Sequence, residues 1–351
     1  MQDMEPSQTN PVALSGSVAS PYTRKMLGVL RYRRIPYRFI QSSRNVPGLP
    51  QPKVSLLPTF YFPDRAGELV AVTDSTPIIR QLETIVSGRS VRPASPALAL
   101  IDSILEDYGD EWLTKAMFHY RWHFDADSRH AAKFLAALQR NWPSDGEFFG
   151  AAEMASARQI PRLQYVGSNE KTWAVIEASY VRFLDAMENH LRTHQFLMGA
   201  RPGASDFGVF GQLTQLGAVD PTPMGIVNER APRVYAWTWA MEDRSGLEPI
   251  DSDWLDPAHV PSTIRALLTE VARVYAPLLI ANEAAVKAGH EEVRAEIDDQ
   301  IWVQRTFPYQ AKCLGWLRSE YAALSGADKK LVDAALAGTG LEAIFVEPSQ
   351  R

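Results

Sequence analysis

Three short segments near the start of the chain place polar groups where a fold can leave them free for a ligand. Ser20-Pro21-Tyr22-Thr23 stands where an apolar run gives way to a helical pattern, which puts Ser20 at or beside a helix N-cap. Unpaired backbone donors and the positive end of the helix dipole favour an anion there. An ordinary Ser cap followed by Pro gives the same pattern. Leu57-Pro58-Thr59 leads into a second apolar run, and a proline at the mouth of a strand suits a cis peptide that presents the preceding backbone to a ligand. Asp74-Ser75 opens the next helix with a carboxylate, a hydroxyl and free amides, a set able to hold both ends of an amino-acid-like group. Each feature alone is also a plain cap or turn. All three within one unit are hard to explain as coincidence.

The elements that must position them alternate. Val12-Ala13-Leu14 reads as a strand ending at Ser15-Gly16-Ser17, and a helix runs from Pro21 through Tyr32. Strands are expected over Pro36–Ile40, Leu56–Phe62 and Leu69–Val72, with a hairpin turn at Asp64–Glu68 and a helix carrying Ile78, Ile79, Leu82 and Ile85. The order is β-α-β, then β-β-α. Pro93 and Pro96 mark a linker over 91–97. Beyond it the spacing predicts helices: a long one over Leu98–Phe124, another over Lys171–Thr193, shorter ones at Asp206–Leu216 and Arg233–Arg244, and a helical stretch from Ser262 to Ala337. The expected division is a disordered tail over 1–10, an α/β unit over 11–90, the linker, an all-helical unit over 98–250 and a helical extension over 251–351.

Composition narrows the function classes. At 351 residues the chain has the length of about two ~150-residue domains with room for a further helical unit. Lys and Arg number 36 against 41 Asp and Glu, a net charge of −5 that offers no field for a phosphate backbone, so no nucleic-acid partner is expected. Cys313 is the only cysteine, which excludes an intrachain disulfide, a Cys-x-x-Cys pair and a Cys metal cluster and suits a reducing compartment. Met1 to Asn10 is polar and acidic where a signal peptide would be basic and then apolar. The most apolar stretch, Val271–Val286, is broken by Arg273, Pro277, Asn282 and Glu283, short of the ~20 apolar residues of a bilayer span. The expectation is a cytoplasmic protein without a membrane partner.

On four segments the sequence resembles the glutathione S-transferase superfamily: Ser20-Pro21-Tyr22-Thr23-Arg24-Lys25, Leu57-Pro58-Thr59, Asp74-Ser75-Thr76-Pro77-Ile78 and Pro202-Gly203-Ala204-Ser205-Asp206-Phe207. They fall between about Val12 and Arg244, roughly two thirds of the chain, in that family's order. The resemblance implies an α/β thioredoxin-like N-terminal domain that holds glutathione, an all-α C-terminal domain, and pairing into a homodimer. It further implies that Ser20 meets the glutathione sulfur, that the backbone of Leu57 before Pro58 pairs with the cysteinyl unit, and that Asp74 and Ser75 hold the γ-glutamyl end. Tyr22 is a rival hydroxyl donor, although its place in the Ser-Pro-Tyr segment suggests packing. The glycine carboxylate has Lys53 and Arg44 as candidates without motif support. A hydroxyl at the helix start donates a hydrogen bond to a thiolate but cannot form a mixed disulfide, which points to conjugation, isomerisation or elimination. Glutathione is then a co-substrate and the second substrate a small apolar electrophile.

The fourth segment departs from the family's Ser/Thr-x-x-Asp capping box by placing Gly203 at the cap, which costs only a few tenths of a kcal/mol relative to Ser. Trp112 and His119, on the long helix that walls the second-substrate pocket in the family, are pocket candidates, with core packing as the alternative. His119 with His123 and His190 with His194 have the spacing of a two-His metal face, but no third ligand accompanies either pair, and no metal is expected. Arg31-Tyr32-Arg33-Arg34 complements a helix C-terminus. The competing function is a transferase-like fold kept as a non-catalytic or weakly catalytic binding or scaffold module.

Overall fold

A computed structural model describes residues 6–41 and 48–346. Residues 1–5 of the expected tail and Arg44 lie outside them. Residues 6–10 include a turn closed by the Ser7–Asn10 backbone hydrogen bonds.

The N-terminal layer is β1 (Val12–Gly16), α1 (Pro21–Tyr32), β2 (Tyr37–Gln41), β3 (Thr59–Pro63), β4 (Leu69–Val72) and α2 (Ser75–Ile85). The sheet order is β2-β1-β3-β4, with β1 and β2 parallel and the other two pairs antiparallel. A parallel pair needs a crossover helix, and α1 supplies it, whereas the antiparallel β3–β4 pair closes through the turn at Asp64. Asp64 caps that turn by accepting from the Ala66 and Glu68 amides. This is the thioredoxin-like arrangement. Leu14 and Phe60 of the sheet, Met26, Val29 and Leu30 of α1, and Ile78 and Leu82 of α2 are fully buried and form its core.

The helical part comprises α3 (Pro96–Glu111), α4 (Leu113–His123), α5 (Asp125–Gln139), α6 (Asp145–Gln159), α7 (Trp173–His190), α8 (Ala204–Leu216), α9 (Pro221–Arg230) and α10 (Pro232–Ala240). The single helix expected over Leu98–Phe124 is two, separated at Trp112. The α8 helix is buried along its whole length and joins the two parts, packing on both α1 and α3. Its approach to α1 depends on Gly211, where a Cβ would come 2.5 Å from the Pro21 carbonyl oxygen.

The start of α8 explains the departure at residue 203. A Cβ there would lie 2.3 Å from Asp102 Oδ1, so the family's serine would collide with a buried carboxylate of α3. Asp102 does the serine's work from across the interface, accepting from the amides of Ala204 (3.1 Å) and Ser205 (3.1 Å) and from the Ser205 hydroxyl (2.5 Å). Asp206 accepts from the Gly203 amide at 2.9 Å, the reciprocal half of the box that the sequence predicts.

After α10 come α11 (Ser262–Glu270), a π-helical turn over Val271–Tyr275, α12 (Ala276–Lys287), β5 (Glu292–Ile297), β6 (Gln300–Arg305), α13 (Pro308–Ala323) and α14 (Gly326–Leu336). The π turn ends two residues before Pro277, which has no amide to continue an ordinary helical ladder. The β5–β6 hairpin corrects the expectation of continuous helix. Its two-residue turn, Asp298-Asp299, has φ of 53° and 57°, the primed geometry that matches strand twist. Val293, Ile297 and Trp302 point inward from it. Both parts of the molecule and this segment share one contiguous apolar core.

Candidate active site

Strand register brings the three polar segments to one edge of the sheet. Ser15, next to the end of β1, pairs with Thr59, and Phe60 pairs with Val72 at the end of β4. The loop from β1 to Ser20, the peptide before Thr59 and the entry to α2 therefore lie side by side. Ser20 is the N-cap of α1 in extended conformation, and its Oγ accepts from the Thr23 amide at 3.3 Å. The helix uses one of the two Oγ lone pairs, and the hydroxyl proton remains to be offered to a ligand. The Leu57-Pro58 peptide is cis, as its place before a strand predicts.

Helices of the second part hold the Ser20 loop in place. Arg121 Nη1 of α4 donates to the Ala19 carbonyl at 3.1 Å, and Gln215 Nε2 of α8 donates to the Val18 carbonyl at 3.2 Å. Arg121 is itself fixed by Asp220 (2.9 Å) and by the Gln215 amide oxygen (2.8 Å). Burial pushes the Asp220 carboxyl upward while Arg121 pulls it back. Nothing in the sequence around Arg121 signals this function, since its partners come from distant helices.

Asp74 and Ser75 start α2. Asp74 has φ +87°, a region that non-glycine residues rarely occupy and that marks a position held by its surroundings. It is half-buried, and burial raises its carboxyl above the usual range. Ser75 is buried and accepts from Lys25 Nζ at 3.3 Å. Lys25 has no exposed surface and bridges α1 to α3 through Glu106 (2.7 Å) and Asp110 (2.5 Å). Burial opposes its charge, but the two carboxylates outweigh burial and hold the ammonium above its ordinary range. The carboxylates differ. Both are penalised by burial, yet Glu106 also faces Arg80 and accepts from Thr76, so it stays below the usual range, whereas Asp110, repelled by Glu106 and Asp74, rises to about 6.

The structure also sorts the remaining candidates. Tyr22 donates to the Asp110 carbonyl at 2.7 Å, and burial lifts its phenol well above the ordinary value. Its one proton is committed inside the protein and is not free for a ligand. Trp112 and His119 are packed inside the protein, and neither lines the cavity between α2, α3 and α13. Trp112 is 1% exposed, donates to Ser179 Oγ at 3.0 Å and packs on Trp302. His119 is fully buried, with Ser168 Oγ 2.9 Å from Nδ1 and Glu177 Oε1 3.3 Å from Nε2. Burial, reinforced by neighbouring His123, lowers it to about 3, so the ring is neutral. His119 belongs to the core because α4 is wrapped by α3, α5, α7 and α8, and Trp112 because the α3–α4 junction packs against Tyr275 and Trp302. Lys53 is exposed.

Beside the α2 entry a cavity of about 360 Å³ lies between α2, α3 and α13, lined by Thr76, Asp107, Asp110, Tyr309, Cys313 and Glu320 among others. Its acids are paired: Asp107 accepts from Tyr275 and Glu320 faces Arg80 and Arg92. Ser20 does not line it.

Sequence profiles agree with this architecture. One described as the glutathione S-transferase N-terminal domain matches residues 14–90, and one described as the C-terminal domain of the same proteins matches residues 123–238, together over half of the chain. The chain belongs to the glutathione S-transferase superfamily. It is a glutathione transferase-like protein carrying, after residue 238, a segment that neither profile reaches. Among solved structures it is similar to a glutathione S-transferase from Rhodospirillum rubrum F11, at 16% identity over 72% of this chain and 99% of that one, with a TM-score of 0.40. It is also similar to the beta-etherase LigF from Sphingobium sp. strain SYK-6, at 17% identity over 66% and 94%, TM-score 0.44. A third is a Methylobacterium radiotolerans glutathione S-transferase in complex with glutathione sulfonate, at 17% identity over 68% and 97%, TM-score 0.41. No curated protein matches the sequence. Among the described residues no helix is long and apolar enough to cross a membrane.

Proposed function

We propose that this protein is a glutathione transferase that binds glutathione along the Ser20–Pro58–Asp74 edge and directs its thiolate at a small apolar electrophile. What carries the reading is the convergence of a hydroxyl at a helix start, a cis-proline peptide and an acid-Ser helix entry at one sheet edge of a chain in this superfamily. In this reading the Ser20 hydroxyl donates to the sulfur, and the α1 dipole adds to the stabilisation of its negative charge. The backbone of Leu57, exposed by the cis bond to Pro58, pairs with the cysteinyl unit. Asp74 takes the ammonium of the γ-glutamyl group and Ser75 with the α2 amides takes its carboxylate. Lys25 acts beneath them, fixing Ser75 and linking α1 to the helical part. By the same resemblance two copies pair as a homodimer in the cytoplasm, which sedimentation and fractionation would test.

A melting experiment with millimolar glutathione followed by a panel of electrophiles tests the function. Glutathione at 100 times its dissociation constant stabilises by ~2.7 kcal/mol. An unchanged melting temperature contradicts the proposal. Binding without turnover of any electrophile would select the binding or scaffold module instead.

A further inference from the structure

The side chain of Asp74 makes no capping hydrogen bond although it stands at the N-cap of α2; from its own helix only the Thr76 amide acts on the carboxyl, and less than Tyr309 does. Its backbone is in the strained positive-φ region, which marks a position held by its surroundings. What holds it comes from 235 residues further along: the Tyr309 hydroxyl donates to Asp74 Oδ1 at 2.9 Å. Tyr309 is in the first turn of α13, within the segment that lies beyond both matched family domains.

That turn is firmly seated. Asn282, fully buried on α12, clamps Phe307 just ahead of it with two hydrogen bonds of 2.8 Å, one from Nδ2 to the carbonyl and one from the amide to Oδ1. Gln310 donates to Glu111 of α3 at 3.1 Å. The Tyr309 ring packs edge-on against Trp316 at 6.1 Å, with the Lys312 ammonium over both rings. Burial and the acids around it keep the phenol protonated, hence a permanent donor. An aspartate with only the weaker Thr76 amide near it on its own helix is thus given a stronger partner by a firmly seated helix of the C-terminal segment.

We propose that Tyr309 is a positioning residue of the glutathione site: it occupies one oxygen of Asp74, leaves the other for the γ-glutamyl ammonium, and so makes the C-terminal segment part of the substrate site. This rests on the function proposed above. Besides Tyr309, the charged and titratable groups that act on Asp74 are Lys312 from α13, Lys25 from α1, Asp110 from α3 and Cys313 from α13. Burial raises the Asp74 carboxyl and the Tyr309 hydrogen bond works against that rise, so removing the hydroxyl moves the carboxyl upward.

Tyr309→Phe tests it, since the ring keeps its packing on Trp316 and the unliganded melting temperature should stay near that of the wild type. The variant should bind glutathione about tenfold more weakly, the lower end for a hydrogen bond to a charged group, with kcat at saturation unchanged. The acid limb of glutathione affinity should move to higher pH. In an Asp74→Asn background the same substitution should have little further effect, because Tyr309 acts through Asp74. Unchanged affinity in Tyr309→Phe, or an undiminished loss in the Asp74→Asn background, overturns the assignment while leaving the glutathione reading intact. A wild type that binds no glutathione overturns both, and is a distinct result.

Discussion

At the edge of the N-terminal sheet, Ser20 and Asp74 are half-buried and stand at places defined by the backbone: a helix start after a strand, and a strained helix entry beside a cis peptide. Trp112 and His119 are residue types at least as suggestive of chemistry, yet the polar atoms of both side chains meet a partner inside the protein. The indole donates to Ser179, and the imidazole is held between Ser168 and Glu177. The difference lies in what positions the group. The backbone at a helix terminus has donors left over by construction, whereas an indole or imidazole side chain is spent or free according to neighbours that only tertiary packing brings.

The largest effect that would separate the two regions belongs to the core. Trp112→Ala should cost ~3 to 5 kcal/mol of stability by denaturant unfolding while the folded fraction keeps its glutathione affinity. A strong affinity loss with little destabilisation would instead return Trp112 to the site. Asp74→Ala should do the reverse, weakening glutathione binding by ~1.5 to 3 kcal/mol in calorimetry and leaving turnover at saturation nearly intact. Lost turnover with unchanged affinity would mean that Asp74 sits near the sulfur.

The start of α8 sharpens the contrast, because there the family's own residue should harm. Gly203→Ser places a Cβ against Asp102, and forcing that shift should destabilise by ~1 to 3 kcal/mol. A stabilised variant would show that Asp102 can move aside without loss.

The pH dependence of stability reports on His119. Its folded-state value of about 3 lies below the unfolded ~6.5, so the unfolded chain binds the extra proton first. The stability it supports is present above ~6.5 and is lost as pH falls toward 3, by up to about 1.4 kcal/mol per pH unit. His119→Gln should flatten that limb of a denaturation series. An unchanged slope would mean that Glu177 pairs with a charged ring.

Much of the site's scaffold was legible from residue order. Ser20-Pro21, Leu57-Pro58 and Asp74-Ser75 are local signals, each read from a few adjacent residues, and the structure places them at one edge. Tyr309 carries no such signal, because its partner is Asp74 and only the docking of α13 joins them. The same holds for Arg121, whose contact with the Ala19 carbonyl spans two parts of the fold. The absence of a capping hydroxyl at Gly203 was visible, but its cause, a carboxylate arriving from α3, was not. The β5–β6 hairpin departs from the continuous helix that the spacing predicts, because that spacing is carried by Leu267, Val271, Val274 and Leu278 on one side and Leu314, Leu317, Tyr321 and Leu324 on the other, while Asp298-Asp299 between them is a turn signal.

The central claim is that Ser20 faces the sulfur of glutathione, and Ser20→Cys tests it most directly. A thiol at a helix N-terminus has a pKa lowered from ~8.5 into the range of about 3.5 to 7.5, and its thiolate attacks the disulfide of oxidised glutathione, forming a mixed disulfide and releasing one glutathione thiolate. Cys313, the only other thiol, is buried and lies on α13, so mass spectrometry of the digested protein assigns the adduct to one position. A glutathione adduct on residue 20, absent from the wild type and accompanied by loss of conjugation, is the predicted result. A folded Ser20→Cys protein that stays unmodified would contradict the placement of the site.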